Sequence, residues 1–380
     1  MNYSIFSLKP HLSKGRIYSE TEDKSRTCFM RDRDRVIHSS AFRRLKYKTQ
    51  VFVHHEGDYY RTRLSHSIEV SQLARSLSRI FSVNEDLAEA IALAHDLGHT
   101  PFGHAGEEAL EGKLQKYGGF NHNLHTFKIL TKLEKRYISF DGLNLTWESL
   151  EGILKHNGPI NKSSIPAWIK KMIEKFDCDT NTNSSFESQI AAISDDIAYN
   201  NNDIDDGLHA GLFELDDLTT IKIVNDNIKK IEIRNQSKNN GRINHELVRS
   251  LIKNMINDLE YNTKENLSKI KPSCSEDIQL CDFQIVDFSI EMKKKTSELR
   301  AFLKDRMYKH PTVKTMTYKA KKIVSELFDL FVNEPQLLPT EWKDYKSKNE
   351  LFINVGDYIA SMTDKNAMNI HQKYFNLYNF

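Results

Sequence analysis

The chain has 380 residues, 39% hydrophobic and 28% charged, and a formal net charge of only +2. That length supports a large core, roughly two to three ordinary domain lengths, and the charge balance excludes polyanion binding spread over the whole surface. Cys28, Cys178, Cys274 and Cys281 form no CxxC pair. No apolar run reaches a signal peptide or the ~20 residues of a membrane span, so a soluble, reducing, cytoplasmic setting is expected.

Between Lys24 and Lys48 the chain concentrates basic residues, Arg31, Arg33, Arg35, Arg43, Arg44 and Lys46 among them, partly offset by Asp23, Asp32 and Asp34. Taken alone this run reads as a solvated face. Val70, Leu73, Ala74, Leu77, Ile80 and Phe81 recur at three- and four-residue spacing and predict an amphipathic helix. A second helix is expected over Glu85–Leu97, stopped by Gly98, with Pro101 and Gly103 making a tight loop. A third starts near Ala105 and carries Ala109, Leu110 and Leu114. Later stripes run from Val248 to Leu259, over Glu291–Lys309 to a stop at Pro311, and over Val313–Val332. Asn/Ser/Asp-rich stretches at Asp177–Ser185 and Gln236–Gly241 read as loops, the second separating a core from a C-terminal region. Strand alternation is sparse, so the fold class is all-α.

The chemistry concentrates in Ala94-His95-Asp96-Leu97-Gly98-His99-Thr100-Pro101-Phe102-Gly103-His104-Ala105-Gly106-Glu107. A His-Asp dipeptide alone is common, and two glycines after it could mark only a helix break. Three histidines and two carboxylates within this stretch are unusual for a structural turn. Successive residues of a regular helix diverge by about 100°. A metal off the helix end could still accept both His95 and Asp96, and that ligand pair suits Mn, Mg or another transition metal. His66, at the start of the preceding helix, offers a third ligand. For a fourth, Asp195 shares a stripe with Ala191, Ala192, Ala198 and Tyr199. A carboxylate there needs a partner, so Asp195 is preferred over Asp196. His104 and Glu107 stand one turn apart, where the carboxylate can orient the imidazole and favour its protonated form for proton transfer. Arg61 and Arg63 nearby suit phosphate oxygens. These residue types together point to metal-assisted hydrolysis of a phosphoester or anhydride.

Several blocks in order carry a resemblance. They are RDRDRVIHSSAFRRLKYKTQVF at 31–52, RTRLSHSIEVSQLAR at 61–75, AHDLGHTPFGHAGEEAL at 94–110, GGFNHN at 118–123, LEGILKHNGP at 150–159, SDDIAYNNNDIDDGL at 194–208, LRAFLKDRMYKHP at 299–311 and VGDYIASMTDKNAM at 355–368. With them the chain resembles the deoxyguanosine triphosphate triphosphohydrolase-like family of the HD superfamily. The resemblance implies an all-α HD fold with an appended C-terminal helical region. Its parts would be a basic N-terminal segment over 1–60 completing the site, an HD core over 61–210 and helices over 211–380. It implies cleavage of a dNTP, dGTP or several, between the α-phosphorus and the 5′ oxygen, to deoxynucleoside and triphosphate. A divalent metal would sit on His66, His95, Asp96 and Asp195, with His104 and Glu107 as the catalytic pair. Arg63, His99 and His122 match phosphate-side positions, and Gln50, Tyr199 and Asp203 match sugar-recognising ones. A tyrosine ring under the deoxyribose would leave little room for a 2′ hydroxyl. His125 departs from the glutamine expected there, and residues 214–290 match less well. The family further implies a homo-oligomer with an activating dNTP between subunits. Weak single-stranded DNA binding is a further expectation, and base preference does not carry over.

Two other functions compete. One is a different HD phosphohydrolase acting on nucleoside monophosphates or cyclic nucleotides, which the Gln50, Tyr199 and Asp203 set disfavours. The other is a non-catalytic nucleotide- or single-stranded-nucleic-acid-binding protein. Near-neutral charge and the full set of ligand and proton-transfer residues argue against it.

Overall fold

The computed structural model describes residues 3–50, 60–161, 165–176, 179–234 and 240–377. Its helices are α1 (Cys28–Ile37), α2 (Ser40–Arg44), α3 (Arg63–Phe81), α4 (Glu85–Ala94), α5 (His104–Leu114), α6 (His122–Lys128) and α7 (Trp147–Leu154). They continue with α8 (Ala167–Lys175), α9 (Phe186–His209), α10 (Leu215–Leu218), α11 (Lys222–Arg234), α12 (Asn240–Ile270) and α13 (Ser275–Gln279). The C-terminal set is α14 (Ile290–Leu303), α15 (Pro311–Asn333), α16 (Lys348–Ser361) and α17 (Asp364–Phe375). Extended pairing among the described residues is limited to isolated bridges such as Thr49 with Thr62. The fold is all-α, as the periodicity predicts. Among the described residues, no helix is long and apolar enough to cross a membrane.

The long helices start where local chemistry can satisfy their free N–H groups. Thr62 caps α3 in a reciprocal box with Ser65, Asn84 caps α4 through the Leu87 amide, and Ser185 caps α9 through the Ser188 amide. α3 buries Val70, Leu73, Ala74, Leu77 and Phe81 against α4 and α9, but Ile80 at the edge of that stripe is exposed. Ser82, in the left-handed region at φ 54°, ends α3.

Among the described residues, two apolar cores form. The larger draws on residues from Cys28 to Val313, through α1, α3, α4, α7, α9, α12 and α14. The smaller packs Leu110 and Leu114 of α5 on Val324, Leu327, Phe328 and Phe331 of α15 and on Val355 and Ile359 of α16. The loop from His95 to Gly103 therefore bridges a helix of one core and a helix of the other.

Several boundaries differ from the sequence expectation. α4 stops at Ala94, not Leu97, and residues 95–98 form a tighter turn. The helix expected over Glu291–Lys309 is α14 followed by a π-helical turn, Lys304–Tyr308, and Pro311 opens α15. Asp179–Ser185 is irregular, as expected, while Asp177 and Cys178 lie outside the described residues. Of the second expected loop, Gln236–Asn239 lies outside them, and Asn240 and Gly241 already belong to α12.

Candidate metal and catalytic site

The end of α4 explains how adjacent residues serve one point. Beyond Ala94 the backbone tightens, with the Leu97 amide on the Ala94 carbonyl and the His99 amide on the Asp96 carbonyl. His95 and Asp96 then both reach toward His66 of α3, one ligand atom from each of the three lying within 4.8 Å of the others. Asp195 of α9 closes the group from the opposite side. Its Oδ1 is 2.8 Å from His66 Nε2 and 3.5 Å from His95 Nε2. Asp196, the alternative carboxylate, turns away to Arg300 at 2.9 Å.

His95 is buried, and its Nδ1 lies 2.6 Å from the Ala92 carbonyl. That contact makes Nδ1 a donor and points Nε2 inward, 3.5 Å from Asp96 Oδ1 and Asp195 Oδ1 and without a hydrogen bond among the described residues. Burial disfavours a charged His95, but the carboxylates of Asp96 and Asp195 outweigh it and raise the pKa to about 9. Burial likewise opposes the charge on both carboxylates. Arg63 with His95 holds Asp96, and His95 with His156 holds Asp195, well below the usual range. Two imidazoles and two anionic carboxylates around an orphaned nitrogen fit a divalent ion.

His156, at the end of α7, escaped the sequence reading. Its ring stacks on His95 at 5.2 Å between centroids, and its Nε2 lies 3.5 Å from Asp195 Oδ2. Arg63 is buried at the start of α3 and donates to Asp96 Oδ2 at 2.9 Å. Arg61, expected to face phosphate, is instead held by Asp206 at 2.6 Å, Asp205 at 2.9 Å and Glu69 at 3.3 Å.

A second histidine group adjoins the first. Glu107 accepts from His122 Nδ1 at 2.7 Å and from the His122 amide at 2.9 Å, and its other oxygen lies 3.1 Å from His104 Nδ1. Burial works against that carboxylate's charge, yet the His104 and His122 hydrogen bonds hold its pKa far below the usual range. His99 stacks on His122 at 4.0 Å and approaches Asp96 Oδ1 at 3.1 Å, so Asp96 links the two groups. His99 is buried, which with nearby Arg63 keeps it neutral. The His104 side chain is 62% exposed. Gly98 is required here: a Cβ would lie 2.1 Å from the His122 carbonyl oxygen and 2.3 Å from the Thr126 nitrogen.

Tyr199 and Asp203 lie one turn apart on α9. Tyr308, from the π-helical turn after α14, donates to Asp203 Oδ2 at 2.5 Å and shares a short hydrogen bond with the Tyr199 hydroxyl. Burial, helped by Asp206, raises Asp203 to about 7. Gln50 sits at the loop: its carbonyl is near Gly103, and its Oε1 is buried with no hydrogen-bond partner among the described residues.

Residues distant in sequence hold the loop. Lys48, fully buried, donates to the Ala360 carbonyl at 2.8 Å and, in a shorter bond, to the His99 carbonyl. Asp364 accepts from the Phe102 amide at 2.8 Å and the Thr49 amide at 2.9 Å. His125 is buried, its Nδ1 3.4 Å from Asp357 of α16.

Residues 63–199 match the HD domain, and residues 286–373 match the phosphohydrolase-associated domain. The chain is 49% identical over 381 residues to a deoxyguanosinetriphosphate triphosphohydrolase-like protein of Parvibaculum lavamentivorans, covering 98% of this chain and 96% of the relative. A protein of the same description from Caulobacter vibrioides is 48% identical over 376 residues, covering 97% and 95%. One from Bartonella quintana is 46% identical over 384 residues, covering 99% and 96%.

Proposed function

The chain belongs to the family of deoxyguanosinetriphosphate triphosphohydrolase-like proteins, and from that premise we propose that it hydrolyses a dNTP to deoxynucleoside and inorganic triphosphate. The observation that carries the reading is the junction at Asp96. There the His66–His95–Asp96 group with Asp195 beside it, a buried arginine and a histidine–glutamate pair come together around the loop after α4.

His66, His95, Asp96 and Asp195 would hold a divalent ion of the Mn or transition-metal class. When bound, such an ion polarises a phosphoryl oxygen and stabilises the charge that develops on it. Arg63 has two roles: it anchors Asp96 through Nη1 and offers the rest of its guanidinium to phosphate oxygens. His99 and His122 stack on each other beside His104 and are assigned to the phosphate side. Glu107 fixes the His104 ring through Nδ1, which leaves Nε2 to exchange a proton with the reacting oxygen. The exposed position of His104 suits a group that meets substrate.

Tyr199, Asp203 and Gln50 are assigned to the deoxyribose. The hydroxyl relay from Tyr199 through Tyr308 to Asp203 stiffens that wall, and a ribose would have to place its 2′ oxygen against an aromatic ring already engaged. We assign residues 61–210 as the catalytic core, 1–60 as the segment completing its site and 211–380 as the appended helical region. A cytoplasmic homo-oligomer with an activating dNTP between subunits completes the reading. Light scattering that gives a fully active monomer removes its oligomeric part.

Phosphorus NMR of the protein with each dNTP and Mn²⁺ tests the reaction. Free triphosphate with the wild type and none with His104→Ala is the expected result. Orthophosphate or pyrophosphate as first product refutes the bond assignment. No turnover with single dNTPs or with their mixtures refutes the enzyme.

A further inference from the structure

The second histidine group has the composition of a metal site in its own right. His99, His104, Glu107 and His122 each place one ligand atom within 4.8 Å of the other three. They come from three elements: the loop after α4, the first turn of α5 and the first turn of α6. The group is therefore set by tertiary structure and not by one helix face. Three imidazoles and a carboxylate form a donor set richer in nitrogen than the His66–His95–Asp96–Asp195 set. Nitrogen-rich, four-membered sets favour Zn²⁺ and its neighbours over Mg²⁺ or Mn²⁺. His99 Nδ1 is buried with no hydrogen-bond partner among the described residues. At the opposite side His104 is exposed, so an ion can enter without opening the fold.

We propose that His99, His104, Glu107 and His122 form a second divalent-cation site, selective for ions of the zinc class, whose occupation shuts down the reaction. The first part stands on geometry alone. The second rests on the proposed hydrolase reading, because an ion there takes both members of the proton-exchanging pair as ligands. His104 then has no free role in proton transfer, and His122 and His99 no longer face phosphate. Asp96 joins the two sites, lying 3.1 Å from His99 Nε2 and 3.5 Å from His95 Nε2 through one oxygen. The two ions would thus bind neighbouring sets with a common carboxylate between them.

Equilibrium dialysis against Zn²⁺ with elemental analysis, and visible absorption of the Co²⁺-loaded protein, count the ions without any activity. The wild type is expected to hold two Zn²⁺ per chain at saturation. His122→Ala and Glu107→Gln, each checked for native circular dichroism, are expected to hold one at the same free Zn²⁺. Saturation of the wild type at one ion, or two ions in both folded variants, overturns the site. Hydrolysis by Mn²⁺-loaded wild type should fall at least tenfold with the same midpoint as binding of the second ion. Undiminished turnover with two ions bound overturns the inhibitory role. Two ions bound in a protein with no turnover under any condition would count against the hydrolase reading and leave the site standing.

Discussion

Gly98→Ala, in the turn after α4, and Gly112→Ala, in α5, add the same methyl group with opposite consequences. At Gly98 the new Cβ would lie 2.1 Å from the His122 carbonyl oxygen, 2.3 Å from the Thr126 nitrogen and 2.6 Å from Thr126 Oγ1. Normal contact requires α6 to retreat by about 1 Å, since backbone cannot rotate aside as a side chain can. The retreat also stretches the Gly98 amide bond to Thr126 Oγ1, now 2.8 Å. Overpacking costs about 1–3 kcal/mol, and the lost hydrogen bond about 1 kcal/mol more. A chain of this length unfolding in one step has an entropy of roughly 0.8 kcal/mol/K, so Tm should fall by about 3–5 °C. Because α6 carries His122, a 1 Å shift should also lower kcat by up to ~10²-fold. At Gly112, on the exposed side of α5, nothing lies within 4 Å of the added Cβ. There alanine should stabilise the helix by about 0.5–1 kcal/mol, raise Tm by about 1 °C and leave the rate unchanged. Differential scanning fluorimetry and the triphosphate assay read both. A Gly98→Ala protein with wild-type Tm and rate refutes the requirement for a glycine in contact with α6.

Three further outcomes follow from charge and burial. Asp203 is raised to about 7, above the ~3.9 of an unfolded carboxyl, so the folded state keeps a proton that the unfolded state releases and stability falls as pH rises from about 4 to about 7. Asp203→Asn removes that loss: its advantage over wild type in urea unfolding should grow by at most ~1.4 kcal/mol per pH unit across this window and level off above it. A constant difference between pH 4.5 and 7 contradicts it. His156→Ala leaves the fold's main cores intact but strips Asp195 of a neighbour at 3.5 Å, and should weaken binding of the first divalent ion by about 10–100-fold in a calorimetric titration; unchanged affinity makes His156 a packing residue only. With His95 raised to about 9, an ion taken up at pH 7 must displace its proton, so calorimetry in buffers of different ionisation enthalpy should report close to one proton released per ion. Zero release would contradict the protonated, metal-free His95.

The parts of this protein legible in sequence are those set within one or two helical turns. The α3 stripe, the start of α5 and the orientation of Asp195 over Asp196 all follow from 3.6-residue periodicity. Ile80 fitted the same period and still faces solvent, because it lies at the stripe's edge, where packing rather than period decides. Apolar periodicity runs three residues past the end of α4, since Leu97 is as apolar as the helix before it and only the tight turn at His95 marks the break. His156 carried no local signal: one histidine at a helix end joins the site only because α7 packs against α4. Tyr308 depends on a π-helical turn that apolar periodicity does not encode. Lys48 read as one more surface base in a basic run, yet it is buried and ties α16 to the His99 carbonyl. Arg61 failed for the complementary reason, its acidic partners Asp205 and Asp206 lying 144 and 145 residues away.

The two acid–histidine groups can be understood as one problem in charge. Asp96, Asp195 and Glu107 are all driven toward the anionic form, and the Arg63 guanidinium pairs with Asp96. Buried charge of one sign is costly unless something neutralises it. Without an ion the protein makes do with protons: His95 is raised to about 9 by the same carboxylates that are depressed. That arrangement stores affinity for a divalent cation, because an ion replaces a shared proton with two positive charges at the same carboxylates. It also explains why Arg63 is placed against Asp96 rather than further out. A guanidinium there offsets one carboxylate while keeping other donors, which on the proposed reading would let the pocket hold a metal ion and a phosphate together. Lys48 adds little to that balance, for burial and Arg44 lower it to about 7. Its contribution is geometric, fixing the His99 carbonyl and with it the distance between the two groups that Asp96 joins.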